Sequence, residues 1–268
     1  MKIGLVTLYD EHIAAYGDIT AENKRRYCER HGYRFYHYKA KIFDGLHPSW
    51  SKLAALNRAW EDNDWLFWSD ADAIIVNDAV RLEQWVRPEY HMIVSTDWHG
   101  LNFGNFLIQN CDWSKDLLGQ VYAGRRTIDF FWEQSALIRL VAANVTVRAR
   151  IHLAGSAFNS RYSDPAWDFL LHLSGLRDDM RLAVIRELGP APAGAMGFER
   201  IRETIARWIG SVPEEDICPG ERVPYEAFEV ARLLQRSAPT GTGKPCWMPP
   251  DGEWMASHVG AAAQGGIA

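Results

Sequence analysis

No stretch of this chain approaches the run of about eighteen apolar residues that a membrane span requires. Cysteine is scarce: Cys28, Cys111, Cys218 and Cys246 stand far apart, with no C-x-x-C pair to suggest a zinc or redox motif. Free thiols in a reducing compartment are the simplest reading. The opening residues, Met1-Lys2-Ile3-Gly4-Leu5-Val6, read as a strand and not as a signal peptide. A soluble, cytoplasmic protein is the expectation. An excess of one charge is lacking as well: a net charge of −5 over 268 residues leaves no electrostatic footprint for nucleic acid or an acidic membrane. Internal repeats are absent.

What is present is a strand–helix alternation. Lys2 to Leu8 reads as a strand, and Asp18-Ile19-Thr20 as the start of a helix over Ala21 to His31 that Gly32 stops. Tyr33 to Tyr38 alternates like a second strand, and Ser51 to Trp60 carries apolar residues at helical spacing. Strands follow over Trp65 to Val76, His91 to Thr96, Asn105 to Gln109 and Thr146 to His152, with helices over Trp113 to Tyr122 and Glu133 to Ala143. Trp167 to Leu173 is a further apolar segment. This order predicts an α/β domain with a largely parallel sheet and ligands beyond the carboxyl ends of its strands. After Gly175 the pattern turns helical, over Met180 to Leu188, Phe198 to Ile209 and Tyr225 to Gln235. The expected division is a catalytic domain over 1–176, a helical extension over 177–237 that completes a binding face or docks a partner, and a Gly/Pro/Ala-rich, partly disordered tail over 238–268.

The chemistry concentrates in Trp65-Leu66-Phe67-Trp68-Ser69-Asp70-Ala71-Asp72-Ala73-Ile74-Ile75-Val76. In an extended backbone, residues two apart share a side, so Asp70 and Asp72 can face one ion together. Two carboxylates so close raise each other's pKa unless a cation shares the charge. A hard divalent metal with oxygen ligands, met together with substrate phosphates, is the natural occupant. A solvated turn after a core strand is the plainer alternative. Twelve tryptophans belong partly to the core, yet flat apolar rings with a polar edge also suit sugar faces. Thr7 and Tyr9, at the end of the first strand, are placed to meet a nucleobase. The segment Pro239 to Lys244 does not complete a phosphate loop, because Ala238 and Pro245 stand where glycine and a hydroxyl residue are needed.

Five separated stretches go further. They are His47-Pro48-Ser49-Trp50-Ser51-Lys52-Leu53, the D-x-D segment, Gly100-Leu101-Asn102-Phe103-Gly104-Asn105, Glu133-Gln134-Ser135-Ala136-Leu137, and Phe158-Asn159-Ser160 with Phe169-Leu170-Leu171-His172-Leu173-Ser174-Gly175. In this order they resemble glycosyltransferase family 34, the α-galactosyl, α-mannosyl and xyloglucan α-xylosyl transferases, from about Met1 to Gly175. The resemblance implies a GT-A fold, an open mixed sheet flanked by helices. It also implies retaining transfer of a sugar from a UDP- or GDP-sugar, with UDP favoured, to a carbohydrate hydroxyl. The ion would be Mn²⁺, with Mg²⁺ as the alternative.

Carried over residue by residue, Asp70, Asp72 and His172 would be the metal ligands, and an imidazole beside two carboxylates suits Mn²⁺ better than Mg²⁺. Lys52 would lie near the donor phosphates, unless it is a solvated first-turn lysine. Ser69 would bond the ribose, Asn102 and Gly104 would meet the sugar, and Gly175 and Arg177 would approach the diphosphate. Gln134 and Glu133 would stabilise an oxocarbenium-like transition state. Glu133 stands where the family favours aspartate and Trp132 where it has an acid, and the plainer role for Glu133 is a carboxylate at a helix N-terminus. An inactive sugar- or nucleotide-sugar-binding module and a D-x-D phosphohydrolase are the competing classes.

Overall fold

The computed structural model describes residues 1–40, 42, 45–97, 100–126, 131–155, 158–162, 169–190 and 196–210. The expected helix over Tyr225 to Gln235, the tail and the start of the Trp167 segment lie outside these residues. Strand β1 (Ile3–Leu8) passes through a 3-10 turn at Glu11–Ile13 into helix α1 (Ala14–His31). The helix starts earlier than expected for two reasons. Asp10 caps the preceding turn by accepting from the His12 N–H at 3.1 Å. Gly17 does not break the helix but packs on the Tyr9 ring, where a Cβ would come within 2.7 Å. Gly32 ends α1 in the left-handed region, at φ 72°.

Next come β2 (Arg34–Tyr38), α2 (Ser51–Ala59), β3 (Trp65–Ser69) and β4 (Ala73–Ile75). Strands β5 (Met92–Asp97) and β6 (Gly100–Gln109) precede α3 (Asp112–Ala123) and α4 (Trp132–Ala143). The strand expected over Thr146 to His152 is divided. Asn144 accepts from the N–H groups of Thr146 and Val147 and so starts a helical turn, α5 (Val145–Arg148), despite three β-branched residues. Only Ile151–Leu153 remains as strand β7. Short strands β8 (Ser160–Arg161) and β9 (Leu170–His172) and helices α6 (Asp178–Leu188) and α7 (Phe198–Trp208) follow.

The main sheet has the order β2-β1-β3-β6-β5-β7. Its neighbours run parallel except at β6, which is antiparallel to both β3 and β5. Five of its six strands therefore share one direction, as expected, and the sheet is mixed through β6 alone: β6 follows β5 with no helix to carry it back, so it reverses direction. Each face is buried. Leu66 and Trp68 pack with Leu53, Leu56, Val121 and Leu137 from the α2–α4 side. Trp65 and Phe67 pack with Tyr27, Phe158 and Phe169 on the other. A second sheet, β4-β9-β8, packs Ala73, Ile75 and Leu170 into the cluster with Leu5, Phe67 and Leu107 of the main sheet. Helices α6 and α7 share one apolar cluster with Tyr16 of α1, Ile74 of β4 and Leu171 of β9. Among the described residues no helix is long and apolar enough to cross a membrane.

Candidate metal and donor site

Strand β3 ends at Ser69, and the chain turns through Asp70, Ala71 and Asp72 before β4 starts at Ala73. The two carboxylates thus converge through a turn, not through strand alternation. Strand β9 pairs antiparallel with β4 and sets His172 opposite Ala73. One ligand atom each from Asp70, Asp72 and His172 falls within 4.8 Å of the others. His172 is buried, and its Nδ1 lies 2.5 Å from the Asn159 Oδ1. Donating Nδ1–H to that carbonyl directs Nε2 at the acidic pair, 3.2 Å from Asp72 Oδ1. Gly104 of β6 makes the space. A Cβ there would stand 2.5 Å from His172 Cε1 and 3.0 Å from Asp70 Oδ2. Two carboxylates, an outer-held imidazole and a missing side chain fit a divalent cation with mixed oxygen and nitrogen donors.

The two acids are held differently. Burial opposes the Asp72 charge, but His172 and Arg181, whose Nε is 3.4 Å from Asp72 Oδ2, outweigh it and lower the pKa. At Asp70 burial wins: it raises the carboxyl, with Asp72 adding to the rise and Lys52 pulling against it. The Trp68 indole donates to Asp70 Oδ1 at 2.6 Å, and Lys52 Nζ is 3.4 Å from the same oxygen. Opposite shifts on neighbouring acids are what a shared site produces.

Other expected residues fall around this centre in varied ways. Lys52 is no solvated lysine. It is 3 % exposed and donates to the Phe103 carbonyl (2.6 Å) and to Glu133 Oε1 (2.8 Å). Burial disfavours its charge, yet Asp70 and Glu133 more than offset this and raise its pKa. Glu133 is likewise buried, and its second oxygen, Oε2, has no hydrogen-bond partner. Gln134 accepts from the Phe103 N–H at 2.8 Å, and Asn102 Oδ1 from the Gly104 N–H at 2.8 Å. Thr7 and Ser69 are buried with unpartnered hydroxyls. Tyr9 is buried too, its hydroxyl donating to Asp18 at 2.5 Å and its ring stacked on His37. Gly175 takes a left-handed φ of 81° between His172 and α6. Arg177 points away to an exposed pair with Asp179 at 3.0 Å. Its neighbour one turn on, Arg181, is the arginine that reaches the acidic pair.

Sequence reasoning passed over Arg181, Asn159 and the buried face of α1. Arg181 lies one helical turn after Arg177, and Asn159 lies within the Phe158-Asn159-Ser160 stretch, so both carry a signal in the sequence. Lys24 had none. Its Nζ donates to the carbonyls of Asp70 (2.9 Å) and Ala73 (2.7 Å), and burial pushes its pKa down to about 7 against the pull of Asp72 and Asp70.

A cavity of about 460 Å³ opens beside the start of α4, lined in part by His47, Trp50, Trp132, Arg125 and Arg126. Trp132 holds φ 45°, the single positive-φ residue other than glycine among the described residues. Its ring lies parallel to His47, centroids 3.5 Å apart. Strain of this kind gathers where a site needs a side chain aimed.

The chain is 27 % identical over 207 residues to an uncharacterised alpha-1,2-galactosyltransferase of Schizosaccharomyces pombe, covering 58 % of this chain and 54 % of that one. It is 32 % identical over 111 residues to a protein of Oryza sativa subsp. indica named as a glycosyltransferase, covering 37 % of this chain and 23 % of that one. It therefore spans about half of the first relative's length and under a quarter of the second's. Among solved structures, a glycosyltransferase involved in glycosylation of the major capsid of PBCV-1 superposes with a TM-score of 0.62 at 16 % identity, covering 69 % of this chain and 99 % of that one. An active-site mutant of LgtC gives a TM-score of 0.51 at 15 % identity, covering 79 % and 98 %. The fold is that of the GT-A glycosyltransferases. The family profile itself matches residues 5–90 and 87–180, about two thirds of the sequence, and the chain belongs to the galactosyl transferase GMA12/MNN10 family.

Proposed function

We propose that this protein transfers a sugar from a nucleoside diphosphate sugar, UDP-linked by preference, to a carbohydrate hydroxyl with retention at the anomeric carbon. The observation that carries the reading is the convergence of Asp70, Asp72 and His172 within 4.8 Å, in space left by Gly104. A bound Mn²⁺ would supply positive charge against the departing diphosphate, which is where negative charge grows. Arg181, already turned toward Asp72, is the basic group placed to share that task, in preference to Arg177. The Lys52–Glu133 pair fixes the start of α4 against β6, and the Gln134–Phe103 bond sets the side chain offered to the donor sugar. The cavity under Trp132 suits the acceptor, an aromatic face with polar neighbours being a common carbohydrate platform.

A second reading, a binding module without turnover, draws on Glu133, whose carboxylate is committed to Lys52. Release of nucleoside diphosphate from a sugar nucleotide in the presence of Mn²⁺ separates the two. The metal reading has its own test: melting of the protein with a panel of sugar nucleotides, with and without Mn²⁺. A ligand at a hundred times its Kd stabilises the folded state by about 2.7 kcal/mol. The metal-dependent rise should vanish in Asp72→Ala. A rise that survives this substitution would remove Asp72 from the ion site.

A further inference from the structure

Helix α1 turns a polar face into the protein at the spacing where an amphipathic helix would carry apolar residues. Thr20, Asn23 and Lys24, at i, i+3 and i+4, are all fully buried. Each bonds the backbone between Asp70 and Ile75. The Thr20 hydroxyl donates to the Ala71 carbonyl at 2.6 Å, closer than to Gly17 in its own helix at 3.2 Å. Lys24 Nζ donates to the carbonyls of Asp70 (2.9 Å) and Ala73 (2.7 Å), one on each side of Asp72. Asn23 makes a reciprocal pair with Ile75, donating through Nδ2 to its carbonyl at 3.0 Å and accepting from its N–H at 2.9 Å through Oδ1.

Packing alone does not call for this face. A buried lysine is among the costliest side chains to place, and an apolar residue of its length would fill the same volume. What the polar face adds is a further hold on a short turn whose other backbone bonds run to Gly104, to Leu173 and across the turn itself. Thr20 and Lys24 take up three of its carbonyls, those of Asp70, Ala71 and Ala73, and Asn23 holds Ile75 just beyond it. The carbonyl oxygens that would otherwise add negative potential beside the carboxylates are turned onto donors.

We infer that Thr20, Asn23 and Lys24 are positioning residues for the cation: they fix the Asp70–Ile75 segment so that both carboxylates are gathered before an ion arrives. The inference rests on the metal reading above. It makes α1, which offers no ligand of its own, a determinant of metal affinity. The cost of bringing two like charges together is met by the fold and is not deducted from binding. Outer-shell partners of this kind change metal affinity by about 10- to 100-fold when removed.

The test is Mn²⁺ affinity of the full chain, read from the electron paramagnetic resonance signal of the free ion, beside the melting temperature of each variant. Thr20→Val and Lys24→Met remove donors to the turn, while Thr20→Ser keeps the hydroxyl. Tyr27→Phe is the control, since its hydroxyl donates from the same helix to Val80, away from the turn, at 2.8 Å. Thr20→Val and Lys24→Met are expected to bind Mn²⁺ about tenfold or more weakly. Thr20→Ser and Tyr27→Phe should keep wild-type affinity, whatever their melting temperatures. Equal affinity in Thr20→Val, Lys24→Met and Tyr27→Phe would overturn the positioning role and reduce α1 to scaffold. Should Lys24→Met fail to fold, the Thr20 pair decides alone. Absence of Mn²⁺ binding in the wild type would instead sink the metal reading itself, a different failure from binding that ignores α1.

Discussion

Replacing Gly104 by alanine adds one methyl group where three atoms already stand. The new Cβ would lie 2.5 Å from His172 Cε1, 2.9 Å from Asn102 Oδ1 and 3.0 Å from Asp70 Oδ2. None of the three yields freely. His172 is held through Nδ1 by Asn159, Asn102 Oδ1 accepts the N–H of residue 104 itself, and Asp70 is held by the Trp68 indole. Gly104 is not in the left-handed region, so backbone strain plays no part and the cost is one of overpacking. That costs about 1–3 kcal/mol, or about 2–12 °C of melting temperature for a chain of this size. Calorimetry of Gly104→Ala should find this loss together with weakened Mn²⁺ binding, because the displaced groups are the proposed ligands. Gly119→Ala, in α3 with open space around it, is the control and should hold or gain stability. A Gly104→Ala protein with wild-type melting temperature and wild-type Mn²⁺ affinity would refute the crowded geometry.

Two further outcomes follow from the buried charges. Lys52→Met leaves Glu133 buried and unpaired and should cost about 3–5 kcal/mol, whereas adding Glu133→Gln should recover much of it; additive losses on chemical denaturation would mean that the pair is not coupled. Lys24 holds its proton to about pH 7 when folded, while an unfolded lysine holds it to about pH 10.4. Between these values the unfolded chain binds more protons, so the Lys24 contribution to stability should rise with pH, by at most about 1.4 kcal/mol per unit. Subtracting the profile of Lys24→Met cancels opposing groups such as Cys28, whose thiol is pushed up by burial. A flat difference between pH 7 and 9 would show that Lys24 keeps its charge inside.

Much of the fold could be read from periodicity because the strands of the main sheet are buried on both faces and the helices on one. The exceptions have local causes. Val145, Thr146 and Val147 have strand-forming side chains, but the Asn144 cap decides their backbone. Gly17 looks like a helix breaker until the Tyr9 ring is seen against it. At the site, the motifs named the three residues that converge, since a ligand's chemistry shows in its residue type. Their supports are less legible. Lys52 and Arg177 are both basic residues near motifs, yet one is sealed against Glu133 and the other pairs with Asp179 at the surface. Only the three-dimensional packing separates them. Thr20, Asn23 and Lys24 act on backbone atoms about fifty residues away, and hydrogen bonds to carbonyls leave no mark on the partner's side-chain identity.

The pairing of β4 with β9 places His172 across from Ala73, so the centre is stitched from segments a hundred residues apart. During synthesis, β1 to β3 can associate while the distal ligand is still unmade. The acids must then wait in each other's company, with α1, Lys52 and Trp68 already made beside them, until the ribosome has released the far strand. On the proposed metal reading, cation capture would be a late event in the life of the nascent chain, and a prematurely terminated product would carry the acids without the grip.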